Sequence, residues 1–426
     1  SKEVSYNASS KYNIDESITL YAIWNPSKNT KYKINYYIRD LGANTYTLES
    51  SYEKYGTTGE KISVDDYSKT IEGFTFSVAK IGQNAVKEAI ISANGTLELN
   101  LYYTRNSYTV TLNKGTGISS VSGAGTYEYG SQVTIDAYVS VGYTWEKWED
   151  VTSQKEYSFT MAAQNVYLTA SASPNNNVRY VVNYYVKDIL ASTYSLNDSE
   201  EKTGITDTNV NVSDFAKEIQ GFTYSNTKVG QNVVTEAVIL GDGSLVIDLY
   251  YTRNKYSVNL NKENGITEVS GAGEYEYQQE ITIDATLENG FIWNGWQGDL
   301  EIPKSTKRYS FKVPSSNLNL TASAIANSNT KYTVNHYITN IGSSSYTLDS
   351  SEEKYGVTGQ TVKISDFVRN ITGFTYKVAR IGQNVVTEAV ILGDGSLVIN
   401  LYYIRNKYTV TLNKGVGISS VSGAGT

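Results

Sequence analysis

The sequence predicts a mainly β chain built as an elongated tandem array of small domains. Three observations carry that expectation. A 26-residue stretch recurs without a gap at 81–106, 229–254 and 381–406, and the last two copies agree at 23 of 26 positions. The copies begin 148 and then 152 residues apart. That is too long for a solenoid repeat, whose single unit cannot bury its own face, and long enough for two small domains. Within each copy the pattern has period two: Leu97, Leu99, Leu101 and Tyr103 alternate with Glu98, Asn100 and Tyr102. This is the mark of a half-buried strand. Finally, the chain holds 38 tyrosines and only 4 prolines, and tyrosine, valine, isoleucine and threonine favour strands.

The recurring stretch itself reads as a β-hairpin. Val86, Glu88, Ala89 and Ile90 lead into a turn around Asn94 and Gly95, replaced by Asp242-Gly243 and Asp394-Gly395 in the later copies. Asn-Gly and Asp-Gly accept positive φ and are favoured hairpin centres. The Gly-Asp-Gly triplet also suggests a calcium loop. Calcium needs six to eight oxygens, however, and the alternating-aspartate spacing of a calcium loop is missing. No metal site is expected.

Taken in order, residues 1–27 read as the tail of a preceding repeat, with 18–24 as a final strand followed by a linker. Residues 31–106 form the first of three A units. Tyr32, Ile34, Tyr36 and Ile38 give its first strand, 46–55 its second, and 73–76 begins another. The polar segment 64–69 reads as a short helical turn, so the A units tend towards α+β. Residues 107–173 form the first B unit, all strand and turn. The pair recurs as 179–254 (A), 255–325 (B) and 331–406 (A), and 407–426 begins a further B unit. Three or four residues separate the strands at each A-to-B joint, which predicts stiffness. The B-to-A joints at 173–177 and 326–330 are longer and polar, which predicts more bending.

Composition excludes several classes. There is no cysteine, hence no disulfide, thiolate metal site or cysteine nucleophile. The net charge is −7 and no basic run occurs, so nucleic acid and anionic membrane are not expected partners. No segment approaches the length of an apolar span, so no membrane contact is expected in this segment.

At this point the residues resemble known bacterial surface repeats. Gly142, Tyr143, Trp145 and Trp148, followed by Tyr157, Phe159 and 166–170, resemble the divergent internalin-B B-repeat. The second B unit repeats this with Gly290, Phe291, Trp293 and Trp296, and departs in an insert at 300–307. Residues 5–24 look like the end of a Listeria–Bacteroides type repeat. The A units, through 32–38, 56–59 and 73–75, are similar to mucin-binding-protein-type repeats. The resemblance implies β-grasp-like modules in tandem on a bacterial cell surface, often in the stalks of adhesins. It carries over no mucin site.

Candidate chemistry is sparse. His336 is the only histidine and takes the strand position of Tyr36 and Tyr184. It reads as a half-buried stand-in for an aromatic ring, and one histidine without cysteine builds neither a zinc site nor a serine triad. Glu88, Glu236 and Glu388 recur, but between apolar residues of a strand, and a glycosidase pair also needs a cleft. Trp145, Trp148, Trp293 and Trp296 can stack on sugar rings or fill the B-unit core. Core filling suits Trp148 and Trp296, which leaves Trp145 and Trp293 as the candidate ligand-binding residues. Asn84, Asn232 and Asn384 recur without a lysine at a matching apolar position, so a Lys–Asn isopeptide bond is not expected.

The leading expectation is therefore structural: a stalk or filament segment of a large extracellular bacterial surface protein, an adhesin, without catalytic residues or cofactor. The alternatives are a multivalent array binding host glycan or surface protein, and a filament subunit whose end segments complete those of neighbouring copies.

Overall fold

The computed structural model describes residues 9, 11, 17 and 19–426. It divides into two compact units. One holds Ser1–Tyr180, Thr203–Asn209 and Val238–Ser244; the other holds Val181–Lys202, Val210–Ala237 and Leu245–Thr426. The chain is mainly β, as the alternation predicts.

In the first unit, A1 contributes strands β1 (Thr30–Arg39), β2 (Tyr46–Gly56), β3 (Lys61–Ser63), β4 (Phe74–Ile81), β5 (Asn84–Val86), β6 (Glu88–Ile90) and β7 (Glu98–Arg105). Five of them form one sheet in the order β2-β1-β7-β4-β5, while β3 and β6 pair separately. The first and last strands lie side by side and parallel, Ile34 opposite Leu99 and Tyr36 opposite Leu101. A single 3-10 turn, Val64–Asp66, crosses between the sheets, and the Ser63 hydroxyl caps it by accepting from the Asp65 N–H. Among the described residues the helical tendency of the A units goes no further than such turns.

The side chains that alternate in sequence make the core. Ile34, Leu99 and Leu101 are fully buried, joined by Tyr32, Tyr36, Ile91 and Tyr103. Their partners on the other face stack instead: the Tyr37 and Tyr102 rings lie 5.0 Å apart and nearly parallel.

Pairing departs from expectation at the recurring stretch. The segments flanking the Asn94-Gly95 turn do not form a hairpin. β6 pairs with β3, Ile62 opposite Ala89, and β7 enters the large sheet between β1 and β4. Period-two alternation fixes which face is buried but not which strand is the neighbour. The turn therefore steps the chain from one sheet to another. The hairpin present is β4–β5, closed by Gly82 and Gln83, with Ile81 opposite Asn84. Gly82 has φ +58°, as a two-residue hairpin turn with glycine first requires.

B1 continues with β8 (Ser107–Lys114), β9 (Ile118–Ser122), β10 (Gly125–Glu128), β11 (Gln132–Val139), β12 (Tyr143–Trp148), β13 (Tyr157–Thr160) and β14 (Val166–Pro174). Four form a sheet in the order β10-β8-β14-β12, and three another in the order β13-β11-β9. Here too first and last strands are parallel neighbours, Val110 opposite Val166. Trp148, Ile135, Ala137 and Ala170 are wholly buried between the sheets.

The second unit repeats the plan. Val182 lies opposite Ile247 in A2, Val258 opposite Leu318 in B2, and Val334 opposite Ile399 in A3. The insert at 300–307 does not disturb the B2 core. Trp296 donates its Nε1–H to Lys307 O at 2.8 Å, as Trp148 does to Lys155 O at 2.9 Å, and Ile302 buries against the same core. In 407–426 one bridge joins Val410 and Gly425, the pairing that Val110 and Gly125 make in B1.

The strand expected over 18–24 is a second correction. Thr19–Trp24 carries no strand, and Tyr21 and Trp24 are 85% and 86% exposed. Among the described residues no partner strand reaches it, and a lone alternating segment has no ladder to join. Ile18 lies outside the described residues.

Candidate functional site: the joints between repeats

The densest recurring polar chemistry lies where one repeat hands over to the next. At the A1-to-B1 joint, the Asn106 N–H donates to Gly73 O at 2.9 Å, and the Tyr129 N–H donates to Asn106 O at 2.8 Å. Arg105 donates from Nη1 to Tyr129 O at 2.7 Å and from Nη2 to Arg39 O at 3.0 Å. Its guanidinium lies 4.7 Å from the centre of the Phe74 ring, whose other neighbour is Tyr129, edge-on at 5.8 Å. Gly73 lets that ring approach: a Cβ there would stand 2.1 Å from Tyr129 Cδ1. Thr104 and Arg105 belong to β7, so only Asn106 lies between β7 and β8, a shorter connection than the three or four residues expected.

The A2-to-B2 joint is built alike. The Asn254 N–H donates to Gly221 O, the Tyr277 N–H to Asn254 O, and Arg253 Nη1–H to Tyr277 O at 2.9 Å. Tyr277 again meets Phe222 edge-on at 5.8 Å. A carboxylate completes each joint. Glu276 accepts from the Leu190 N–H at 2.7 Å and pairs with Lys187 Nζ at 3.1 Å, its side chain only 7% exposed. The Leu190 N–H and then Lys187 hold its carboxyl below the usual carboxylate range. In B1 Glu128 makes the corresponding contacts, accepting from the Gly42 N–H at 2.9 Å and pairing with Arg39 at 3.3 Å.

The B-to-A joints differ from expectation. Their asparagines look like linker, but their backbones are engaged. The Asn175 N–H donates to Gly142 O at 2.8 Å, and Asn175 O accepts from the Thr206 N–H at 2.9 Å. The Thr206 hydroxyl donates to Gly142 O at 2.7 Å, and Tyr143 OH to Asp207 at 2.6 Å. Asn327, Gly290 and Thr358 repeat the backbone pattern at 2.8 and 3.0 Å. These hydrogen bonds and the close glycine contacts beside them leave little of the freedom that composition suggests.

The candidate residues from the sequence lie elsewhere. Trp145 and Trp293 are half-buried at the rim of the B cores. Each stands edge-on to its neighbour, at 5.8 Å from Trp148 and 5.7 Å from Trp296. Trp145 donates to Ser153 O at 2.8 Å. Glu88, Glu236 and Glu388 are exposed, and Glu88 pairs with Lys61 at 3.2 Å. Asn84, Asn232 and Asn384 are exposed in the β4–β5 hairpin and its repeats. Asp242 accepts from the Ser244 N–H and hydroxyl at 3.0 and 2.7 Å, so it closes its own turn. Among the described residues no group of three metal-ligating side chains occurs.

His336 is more deeply buried than expected, at 2% exposure. Its Nδ1 lies 3.2 Å from Tyr403 OH. Burial, then Arg369, push its pKa below the ordinary histidine value. A cation covers this strand position in all three A units. Lys217 lies 3.6 Å from the Tyr184 ring centre and binds Asp198 and Glu200. Burial pulls the Lys217 pKa down, but those two carboxylates outweigh it and hold the ammonium charged. Lys202 and Lys217 in turn hold Glu200 down at about 2. Lys69 and Arg369 take the place of Lys217 in A1 and A3. This cluster is absent from a reading of spacing alone, although Lys69, Lys217 and Arg369 do align in the sequence.

The divergent InlB B-repeat domain family matches residues 108–176 and 256–328. The B units are similar to that repeat. Comparison with curated proteins gave no match. Among solved structures, the Bacillus anthracis TIE protein is 8% identical, covering 90% of this chain and 68% of that one, with a TM-score of 0.19. Shaft pilin SpaA from Lactobacillus rhamnosus GG is 11% identical over 70% of this chain and 99% of that one, with a TM-score of 0.12. The pilus adhesin SpaC of the same organism, in its open conformation, is 8% identical over 90% and 44%, also at 0.12. At such scores the likeness is too faint for a shared fold.

Proposed function

We propose that this chain is a spacer: a stalk or filament segment of a bacterial cell-surface protein, exposed outside the cell, whose repeats set distance and direction. The observation that carries the reading is the repeated A-to-B joint. Arg105 and Arg253 each donate to the backbone carbonyl of a following tyrosine that sits against a glycine. A chain of independent binding domains has no need to rebuild the same joint. The match of both B units to a surface-repeat family agrees with it, and an adhesin is the kind of protein such a spacer serves. The role requires no catalytic group.

Small-angle scattering tests it on the full chain. The expected particle is a rod, with a maximum dimension several times that of one small domain. A compact particle of the size expected for one globular domain, with a radius of gyration near 22 Å from the usual scaling, would refute it.

A further inference from the structure

The three A units differ at one position that matters at the B-to-A joint. Aligned without gaps, it holds Ala93 in A1, Gly241 in A2 and Gly393 in A3. In A2 and A3 a B unit precedes, and its own glycine meets this one backbone to backbone. A Cβ at Gly241 would stand 2.3 Å from Val141 O, and one at Gly393 would stand 1.9 Å from Asn289 O. In the other direction, a Cβ at Gly142 or Gly290 would stand 2.3 Å from the Cα of the facing glycine. Gly241 and Gly393 do not have positive φ, unlike Gly142 and Gly290 at +84° and +83°. Backbone conformation therefore does not require glycine at 241 or 393; the close approach does.

A1 keeps the backbone contact through which the head is met. Its Thr58 N–H donates to Ser27 O at 2.7 Å, as the Thr206 and Thr358 N–H groups donate to Asn175 O and Asn327 O. Thr30 and Thr58 share a hydroxyl contact at 2.6 Å, which Thr330 and Thr358 repeat. The glycine is missing, as is the leucine before it (Ser92 for Leu240 and Leu392), and Ala93 is exposed. Residues 19–29 contain no glycine to face it.

We infer that this position encodes which module can sit upstream of an A unit. Glycine admits the positive-φ glycine turn of a B unit. Alanine refuses that turn and suits a neighbour that meets the head through a carbonyl alone, as Ser27 does. The head of the A unit is thus a docking surface with a one-residue selector, and it writes the order of modules into the sequence.

The test keeps the chain at full length and replaces residues 331–406 with 31–106, so that A1 follows B2. Hydrogen exchange is read at the Asn327 amide, which bonds to Gly290 O, and at the Thr58 amide now placed to bond Asn327 O. Exchange at the first is expected to be at least 100-fold faster than in the native chain. Adding Ala93→Gly to the swapped module is expected to restore both to within about threefold of the native Asn327 and Thr358 values. Amides of the transplanted sheet, such as Tyr36 and Leu101, report that the module is folded, and their protection should not change. Gly393→Ala in the native chain should reproduce the loss at Asn327 and Thr358 while the A3 sheet stays protected. Protection of the joint in the swapped chain with Ala93 in place would overturn the inference. So would failure of Ala93→Gly to restore it in a folded module.

Discussion

Glu276 offers the sharpest test of how a joint is held. Its carboxylate is nearly excluded from solvent and bonds a backbone N–H and an ammonium of A2. A charge-assisted hydrogen bond is worth about 1.5–3 kcal/mol when buried. The Leu190 bond, at 2.7 Å, deserves the upper half of that range. The Lys187 pair deserves about 1 kcal/mol, since the ammonium is 29% exposed and partly screened. Glu276→Ala should therefore weaken the joint by about 3–4 kcal/mol, or roughly 100- to 700-fold in its opening equilibrium at 1.4 kcal/mol per tenfold. Glu276→Gln keeps an acceptor for Leu190 without the charge, and should cost about half, roughly 10- to 30-fold. Hydrogen exchange at the Tyr277 and Asn254 amides reads this, because both bonds cross or flank the joint and neither involves the mutated side chain. Glu128→Ala, at a site whose carboxylate is 24% exposed, should have a smaller effect, about 1–2 kcal/mol. The Glu276 carboxyl is held below its usual pKa, so its contribution is present above the unfolded value of about 4.3 and fades as pH falls through the folded one. If Glu276→Ala left Tyr277 and Asn254 within threefold of wild type while the Leu190 amide exchanged faster, the carboxylate would be a local cap and the coupling argument would fail.

Other expectations follow from single residues. His336 is buried with a lowered pKa. Below about 6.5 the unfolded chain binds a proton that the folded A3 does not, so A3 loses stability as pH falls. His336→Tyr, the residue at Tyr36 and Tyr184, should flatten the melting profile between about pH 5 and 7. Trp148→Ala should destabilise B1 by about 3–5 kcal/mol, since the ring is wholly buried. Trp145→Ala should cost only about 1–2 kcal/mol for a half-buried ring, and calorimetry of the full chain compares the two. Asp242→Ala should cost about 1 kcal/mol through the lost Ser244 bonds. Adding millimolar calcium should leave the wild-type melting curve unmoved; a rise would revive a metal role for that turn.

What could be read in advance follows from what alternation encodes. Leu97, Leu99, Leu101 and Tyr103 declare a buried face, and the core contains them. Trp148 and Trp296 are core because a small B domain needs bulk between its sheets. The partner of a strand is not written in its own period. Glu88–Ile90 and Glu98–Arg105 are close in sequence and flank a turn, yet tertiary packing sends them to different sheets. The β4–β5 hairpin carried a sign that nearness to the Asn-Gly turn obscured: Gly82 sits at the first place of a two-residue loop. Composition misleads at the B-to-A joints for a similar reason. Asn175 and Asn327 look like linker, and only the facing glycines reveal that their backbone groups are spoken for.

The central parallel pair has a consequence for tension. In A1 the chain enters along β1 and leaves along β7, which lie side by side and run the same way over Lys33–Ile38 and Glu98–Tyr103. A pull on the two ends of the module drags these strands lengthwise past each other. Their hydrogen bonds are then loaded together, in shear, and must fail together instead of peeling open one by one. B1 has the same geometry between β8 and β14. Each repeat therefore resists stretching along the direction in which the chain passes through it, without a disulfide or any other covalent staple being required.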